Sequence, residues 1–450
     1  SGRISTEDRP ERRRAPAVHN PHMRVLILGG YGQIGAALVR QLARAGCEIV
    51  GLGRSAAMGQ RLAPQARWIG ADIATLQTPA LWAPLLENID AVVNASGALQ
   101  DGTKDNLARV QAGAICALIA GCEQAGVTRF VQISAPGASE ASPIAFLRTK
   151  GQADAALRAS SLDWIIFKPG LVVGPNAYGG TALIRMLAAF PWAQPLMLGE
   201  APIQTVSIDD VAEAVRRAVF AEAPVRGDYD LVEAQPQSLG ALIARFRAWA
   251  GFAPARFDIA LPRALGFALA ALADIAGWLG WRSPLRTTSL RVLSSGVTGD
   301  PAPWRGVTGT TLAALDDTLA ALPASMQERV FARAQLVFPV LLATLAAFWI
   351  ASGAIALLRL EEAASVLPAP ESARALVAAG AGADIAIGCG LLLRPWTRLA
   401  AGAAIFLSLF YLVAASVVTP QLWADPLGPL VKVFPGIALA LVVAALAEQR

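Results

Sequence analysis

A doubly wound α/β sheet with a small second lobe, followed by an all-α four-helix transmembrane bundle, is the fold class this sequence predicts. Three observations predict it: an apolar strand-like run that opens directly into a glycine-rich turn, similar runs recurring at the spacing of βαβ units, and four long apolar runs in the last quarter of the 450 residues. Alternating strand and helix patterns give a parallel sheet covered by helices. Apolar runs of roughly 20 residues, at ~1.5 Å per residue, cross the ~30 Å of a bilayer's hydrocarbon.

The first unit is the most specific. Residues 24–28 (RVLIL) form its strand, Gly29, Gly30, Tyr31, Gly32, Gln33, Ile34 and Gly35 its turn, and residues 36–45 a helix-period stretch. In this Rossmann-like order Gly29 permits the tight turn, Gly32 lets backbone N–H groups approach a pyrophosphate, and Gly35 lets the helix pack closely on the sheet. Tyr31, Gln33 and Ile34 belong to the same turn and join the dinucleotide contact. The second strand, 48–52, lacks the terminal acid that takes the ribose 2′-hydroxyl of NAD(H) and runs into Gly53, Arg54 and Ser55. Arg54, with Ser55 beside it, suits a 2′-phosphate, so NADP(H) is the expected cofactor and NAD(H) the alternative. Further strands are expected at 66–69, 91–94, 130–134 and 164–168.

The apolar runs lie at 334–358, 373–393, 396–418 and 427–447, with only Arg374, Asp384, Arg398 and Lys432 as charges inside them. A mean hydropathy of +0.48 and 16% charged residues fit a membrane protein, since a soluble chain carries about 25%. Arg329, Arg333, Arg394 and Arg398 flank one set of span ends, whereas Glu361, Glu362 and Glu371 occupy the first hairpin loop. The positive-inside rule then places the nucleotide domain and both termini on the cytoplasmic side of a bacterial-type inner membrane. Residues 261–281 are apolar enough to suggest another span, but Asp274, the glycines at 266, 277 and 280, and Arg263 and Arg282 at the ends favour a helix lying at the interface. Trp278 and Trp281 then sit at headgroup depth. A carboxylate near mid-membrane is costly, so Asp384 is expected to face the bundle interior, protonated or paired. The Lys432 stem spans part of the distance to it, so a pair is open but not required, and the alternative is that Lys432 snorkels to the outer surface.

Part of the net charge of +5 comes from Arg3, Arg9, Arg12, Arg13 and Arg14. With no aromatic interleaving, residues 1–22 read as a disordered basic tail rather than a nucleic-acid site, without the apolar core of a signal peptide, and Met23 reads as the natural start. Both histidines, His19 and His22, fall in that tail, which leaves no Ser/His/Asp triad and no His-liganded metal. Cys47, Cys116, Cys122 and Cys389 form no CxxC pair, so neither a metal cluster nor a disulfide is expected.

Over about residues 24–230 the chain resembles the atypical, extended short-chain dehydrogenase/reductases. The signatures are GGYGQIG at 29–35, Asp72 after the third strand, VVNASG at 92–97, VQISA at 131–135, Lys150 in FLRTK, KPGLVVGP at 168–175 and VSIDDVAEAV at 206–215. The resemblance implies that Asp72 and Ile73 lie near the adenine, that Ala95, Ser96 and Gly97 line the cofactor, that Lys150 holds the ribose hydroxyls, and that Pro169 and Gly170 sit by the nicotinamide. The family's proton-donating tyrosine falls four residues before the lysine, where this chain has Phe146. A phenyl ring cannot exchange a proton with a substrate oxygen. Ser134 or Tyr178 offers a substitute hydroxyl, which makes Lys150 and Ser134 the catalytic candidates. Relatives without the tyrosine include cofactor-binding proteins with little or no catalysis, the NADPH-carrying accessory subunit of respiratory complex I among them. Tyr178, Gly179, Arg185, Trp192 and Gln204 are candidates for lining the substrate cleft. Residues 327–448 are similar to the DoxX-like membrane proteins, by the four-span layout and by WADPLGPLVK at 423–432; that family is associated with quinone-linked or redox membrane complexes.

The expected organisation is a tail (1–22), a nucleotide-binding domain with substrate lobe and linker (23–325), and a DoxX-like four-span domain (326–450). The expected function is that of a membrane-anchored NADP(H)-binding oxidoreductase acting on a quinone or lipid carbonyl. The alternative is a non-catalytic NADPH-binding scaffold or sensor subunit. The bilayer, a quinone or lipid ligand, and a homo-oligomer or membrane complex are the expected partners, and nucleic acid is not.

Overall fold

The computed structural model describes residues 23–98, 100–102, 106–281, 283–365, 367 and 370–447. The basic tail with both histidines, Arg282 and the side chain of Glu371 lie outside the described residues.

Seven strands form one parallel sheet: β1 (Arg24–Leu28), β2 (Glu48–Gly53), β3 (Arg67–Gly70), β4 (Ala91–Asn94), β5 (Arg129–Ile133), β6 (Asp163–Pro169) and β7 (Gly227–Leu231), in the order 3-2-1-4-5-6-7. The first six lie within a residue of the expected positions. Val25 pairs with Ile49 on one side and Ala91 on the other. Because both faces are covered, the strands are continuously apolar rather than alternating. The principal covering helices are α1 (Gln33–Arg44), α2 (Ala114–Ala125), α3 (Ala145–Ala159) and α4 (Ile208–Val219). Val25 and Ile27 pack with Leu38 of α1 and Val211 of α4. Leu26 and Leu28, one residue out of phase, pack with Leu118 of α2 and Leu157 of α3. The strand order reverses between β1 and β4, which opens a crevice at their carboxyl ends, where α/β sheets bind ligands.

The smaller lobe uses short paired strands, Leu171–Val173 with Thr205–Ser207 and Ala193–Leu196 with Phe257–Ala260. Its core includes Ile184, Leu242, Phe246 and Leu315. Beyond it α5 (Arg263–Trp278) occupies the region expected at the interface.

Among the described residues, α6 (Met326–Leu358), α7 (Pro370–Leu392) and α8 (Thr397–Val418) of the C-terminal region supply three segments long and apolar enough to cross a membrane. The run at 427–447, expected to span, forms the shorter α9 (Val433–Leu446), about 21 Å at the α-helical rise. Pro426, Gly428 and Pro429 account for the loss, because proline in a helix interior removes a bond and clashes. Gly428 adopts φ 59°, and Asp425 turns the chain by accepting the Leu427 N–H at 2.7 Å.

At 33 residues α6 is longer than the hydrocarbon requires. Its first turns dock on the lobe: Glu328 pairs with Arg185 at 2.5 Å, and the Arg333 guanidinium lies 5.3 Å from the Phe252 ring centroid. Further along, a Cβ at Gly353 would overlap the Ala381 carbonyl and one at Gly388 would lie 2.9 Å from that of Ala346, the close small-residue approach typical of membrane helices. Asp384 of α7 faces inward as expected and accepts from Ser352 Oγ of α6 (3.0 Å) and Tyr411 Oη of α8 (3.2 Å). Lys432 is exposed just before α9.

Candidate functional site: a dinucleotide crevice with a buried lysine

The glycine-turn side of the crevice is built by leaving side chains out. Gly29 has φ +69°, and a Cβ there would lie 2.8 Å from the Ala95 carbonyl oxygen. At Gly35 a Cβ would overlap the Gly29 carbonyl. The Gly32 N–H donates to Gly29 O at 2.8 Å and starts α1 without a side-chain cap, so N–H groups of the first helical turn stay available for an anion. These positions fit a dinucleotide pyrophosphate. Gln33 and Ile34 form the first turn of α1, and Gln33 Nε2 reaches the Val172 carbonyl at 3.5 Å.

At the end of β2 the half-buried Tyr31 ring fills the space a Cβ on Gly53 would need. Its hydroxyl accepts the Ser55 N–H at 3.3 Å, and its ring centroid is 5.7 Å from that of Trp68. Glycine at 53 is therefore required by Tyr31. Arg54 and Ser55 are exposed beside this ring, and Ser55 Oγ caps the next helix by accepting the Met58 N–H. Asp72 is exposed and caps its own turn through the Ala74 N–H at 3.0 Å, while Ile73 is buried in the core beneath it.

After β4, Asn94 organises the next segment. Its Oδ1 accepts from both the N–H (3.1 Å) and the hydroxyl (2.5 Å) of Ser96, and its Nδ2 donates to Gln132 Oε1. A Cβ on Gly97 would come within 3.3 Å of Gln111 Nε2 and 3.8 Å of Lys150 Nζ, so glycine at 97 lets the segment after β4 pass close to Gln111 and Lys150. Gln111, in a π-helical turn before α2, donates to Ala98 O and accepts from Thr149 Oγ1. Pro169 ends β6 and Gly170 follows it, its N–H donating to Leu231 O at 3.0 Å. A side chain on Gly170 would overlap the Gln204 carbonyl.

The side of the crevice that carries Lys150 is filled. Lys150, on α3, is buried, donates to the Ile133 carbonyl at 2.8 Å, and has its ammonium 5.8 Å from the Phe146 ring centroid. One turn further along α3, Asp154 is fully buried and accepts from Ser134 Oγ at 2.5 Å. Its other oxygen, Oδ1, has no hydrogen-bond partner among the described residues. Burial pulls the Lys150 pKa down to about 8, against the opposing charge of Asp154. Burial also pushes Asp154 above the usual carboxylate range, opposed by the Ser134 bond and by Lys150. The Ser134 hydroxyl is thus committed to Asp154, and Tyr178 is exposed. Asp154 escaped the sequence reading; its signal is the i, i+4 spacing from Lys150 on one helix face.

Two proposed cleft residues buttress the lobe. Arg185 donates to the Gly174 carbonyl at 2.8 Å, pairs with Glu328 and lies over the Trp249 ring. Gln204 donates to Glu233 O and accepts the Gly299 N–H. Trp192 is exposed in a left-handed conformation, φ 61°.

Comparison with known proteins agrees with this geometry. Residues 29–221 match the NAD(P)H-binding family model and residues 346–441 that of the DoxX-like family. The photosystem II assembly factor Ycf39 of Synechocystis sp. is 31% identical over 218 residues, 47% of this chain and 62% of the relative, so this chain spans about three fifths of that protein's length. The NAD(P)H azoreductase of Xenophilus azovorans is 27% identical over 227 residues, 50% of this chain and 74% of the relative. Among solved structures, the Bordetella bronchiseptica enzyme WbmH in complex with NAD+ superposes with a TM-score of 0.50 at 20% identity, over 67% of this chain and 97% of that one. WbmG from the same organism, in complex with NAD, gives 0.50 at 18% identity, over 66% and 92%. These likenesses establish the fold. The chain joins an NAD(P)H-binding Rossmann-type domain, related to Ycf39, to a C-terminal DoxX-like domain.

Proposed function

We propose that this is a membrane-anchored NADP(H)-dependent oxidoreductase whose acceptor is lipophilic, a quinone or a lipid carbonyl, with residues 23–325 as the cofactor and substrate module and 326–450 as the membrane domain. The observation that carries the reading is the junction between them: Arg185 of the substrate lobe is salt-bridged to Glu328 in the first turn of α6, which ties the lobe to the base of the spans. Gly29, Gly32 and Gly35 hold the diphosphate, Arg54 and Ser55 take the 2′-phosphate, Asp72 and Ile73 flank the adenine, and Ala95, Ser96, Gly97, Pro169 and Gly170 line the rest. Bound NADP(H) supplies the hydride. Lys150 orients the nicotinamide ribose, and its lowered pKa, about 8, lets it carry a proton near neutral pH beside the reacting atoms. Quinone reduction draws its protons from water more readily than carbonyl reduction does, and so tolerates Phe146. The membrane is of the bacterial inner type, with the module on the cytoplasmic side.

Phe146 also supports a second reading, a non-catalytic NADPH-binding scaffold or sensor. The two relatives divide the same way, one named as an assembly factor and the other as a reductase. Purifying the full chain in detergent, identifying what co-purifies, and adding quinone under NADPH separates them. The oxidoreductase reading expects bound nucleotide and loss of NADPH absorbance on addition of quinone; bound nucleotide without oxidation leaves the scaffold.

A further inference from the structure

The helix α5 carries its side chains the wrong way round for a water-facing helix. Its buried residues, Gly266, Ala270 and Gly277, are small and fall on one side. There the helix lies so close to the lobe that a Cβ at Gly266 would overlap the Met197 sulfur. Its one carboxylate, Asp274, is turned toward the protein, where Thr287 Oγ1 donates to it at 2.6 Å and Arg286 stands at 3.5 Å. The outward arc holds Leu265, Leu269, Leu272, Ile275 and Trp278, each between 43% and 66% exposed. They recur every three or four residues, which is one face of a helix. No charged residue interrupts that arc. A surface helix in water shows the opposite arrangement, polar outward and apolar toward the core, and a contiguous apolar patch of this kind marks an interaction surface.

The position of α5 identifies what covers it. Trp281, just past its end, donates from Nε1 to the carbonyl of Leu392 at 2.7 Å, and the Arg394 N–H donates to Leu279 O at 3.1 Å. Leu392 ends α7, and Arg394 lies in the turn into α8, so α5 is pinned at the level where the spans leave the hydrocarbon. The strand Phe257–Ala260, which runs into α5, adds exposed Phe257 and Ile259, two residues apart and so on one face. At 16 residues, α5 is about 24 Å long, too short to span with its ends held this way.

We propose that α5 is a lipid-docking helix, lying in the plane of the bilayer with its Leu265–Leu269–Leu272–Ile275–Trp278 face sunk to the boundary between headgroups and acyl chains, so that the substrate lobe rests on the membrane surface. The inference depends on α6 to α8 spanning a bilayer, and its test carries a control for that. The full chain is reconstituted in phosphatidylglycerol-containing nanodiscs with an environment-sensitive fluorescent amino acid at Leu272, at Phe348 of α6 as the span control, or at Gln60 as the water control. Ile275 gives an independent second reading. The expected result at positions 272 and 275 is strongest quenching by lipids spin-labelled ~5–10 Å below the headgroups, weaker quenching by lipids labelled at the chain ends, and protection from iodide. Quenching as deep as that at position 348 would make α5 a span. Quenching by iodide would leave the face in water, and protection from both lipid and iodide would mean that protein covers it, a second copy or another chain; each of these results overturns the proposal. If position 348 itself escapes lipid quenching, the membrane reading falls with it.

Discussion

On the glycine-turn side of the crevice, Gly29 and Gly35 leave out the side chains that would strike Ala95 O and Gly29 O. Across the same crevice, Phe146, Lys150, Ser134 and Asp154 close in on one another, with Lys150 held on a main-chain carbonyl and one Asp154 oxygen without a hydrogen bond among the described residues. One half is specified by what the backbone must avoid, the other by which side chains share a buried volume. Backbone requirements appear in a sequence as glycine at fixed offsets; a buried side-chain network appears only once helix α3 is laid against the strand end that carries Ser134.

The largest expected effect lies on the first half. Gly35→Val forces a branched side chain into the Gly29 carbonyl, so it should destabilise the chain by about 3 kcal/mol and abolish nucleotide binding. Thermal unfolding and NADPH titration of the detergent-solubilised protein measure both, and a stable, NADPH-binding variant would break the contrast.

The second effect sharpens the other half through pH. Below about pH 8 Lys150 is protonated in folded and unfolded chains alike, and its contribution to stability is flat. Between about 8 and the ordinary 10.5, the unfolded chain still holds the proton that the folded chain has released, so stability from this group rises with pH, by about 3 kcal/mol across the window. The buried thiols act in the opposite sense, since burial raises Cys47 to about 11 and Cys122 to about 12 from 9.0, and they lose stability as pH climbs past 9. The comparison is therefore with Lys150→Met, in which the rising component should vanish and the thiol component persist. Identical pH profiles by denaturant unfolding would mean that Lys150 keeps its charge when folded.

Smaller and more specific is Arg54→Ala, which should weaken NADPH by about 1–3 kcal/mol, the range for charge-assisted hydrogen bonds, and leave NADH unchanged. Equal titration curves for the two nucleotides in the natural sequence would remove the basis for expecting NADP(H). Smallest is Trp281→Phe, which loses the bond to Leu392 O and about 1 kcal/mol of stability while keeping the ring packing on Phe338; no change in unfolding would detach α5 from the bundle energetically.

Much of the fold was legible because hydrophobic period and glycine spacing act locally. β1 stands where RVLIL puts it and the other sheet strands cited from sequence shift by no more than a residue, whereas α1 starts at Gln33, three residues before the expected 36 and inside the run GGYGQIG. The fourth apolar run misled because hydropathy counts Leu427 and Leu430 as membrane residues, whereas Pro426, Gly428 and Pro429 decide the backbone there. At the site, Arg185 and Gln204 read as cleft residues because polar side chains in a lobe suggest a ligand, yet each is bonded to the protein's own carbonyls. The role of Tyr31 over Gly53 was hidden for a related reason: the contact joins residues 22 positions apart in sequence, and only the sheet brings them together.

The claim that the crevice serves an acceptor drawn from the bilayer is tested most directly by pairing two acceptors with one headgroup. The full chain in nanodiscs, supplied with NADPH, is offered a long-tailed quinone that partitions into the lipid or its short-tailed, water-soluble analogue, and NADPH oxidation is followed at equal bulk concentration. Oxidation is expected to be rapid with the long-tailed quinone and slow with the analogue, and both are expected to be abolished by Gly35→Val. Equal rates with the two quinones, or NADPH bound and never oxidised by either, would contradict it.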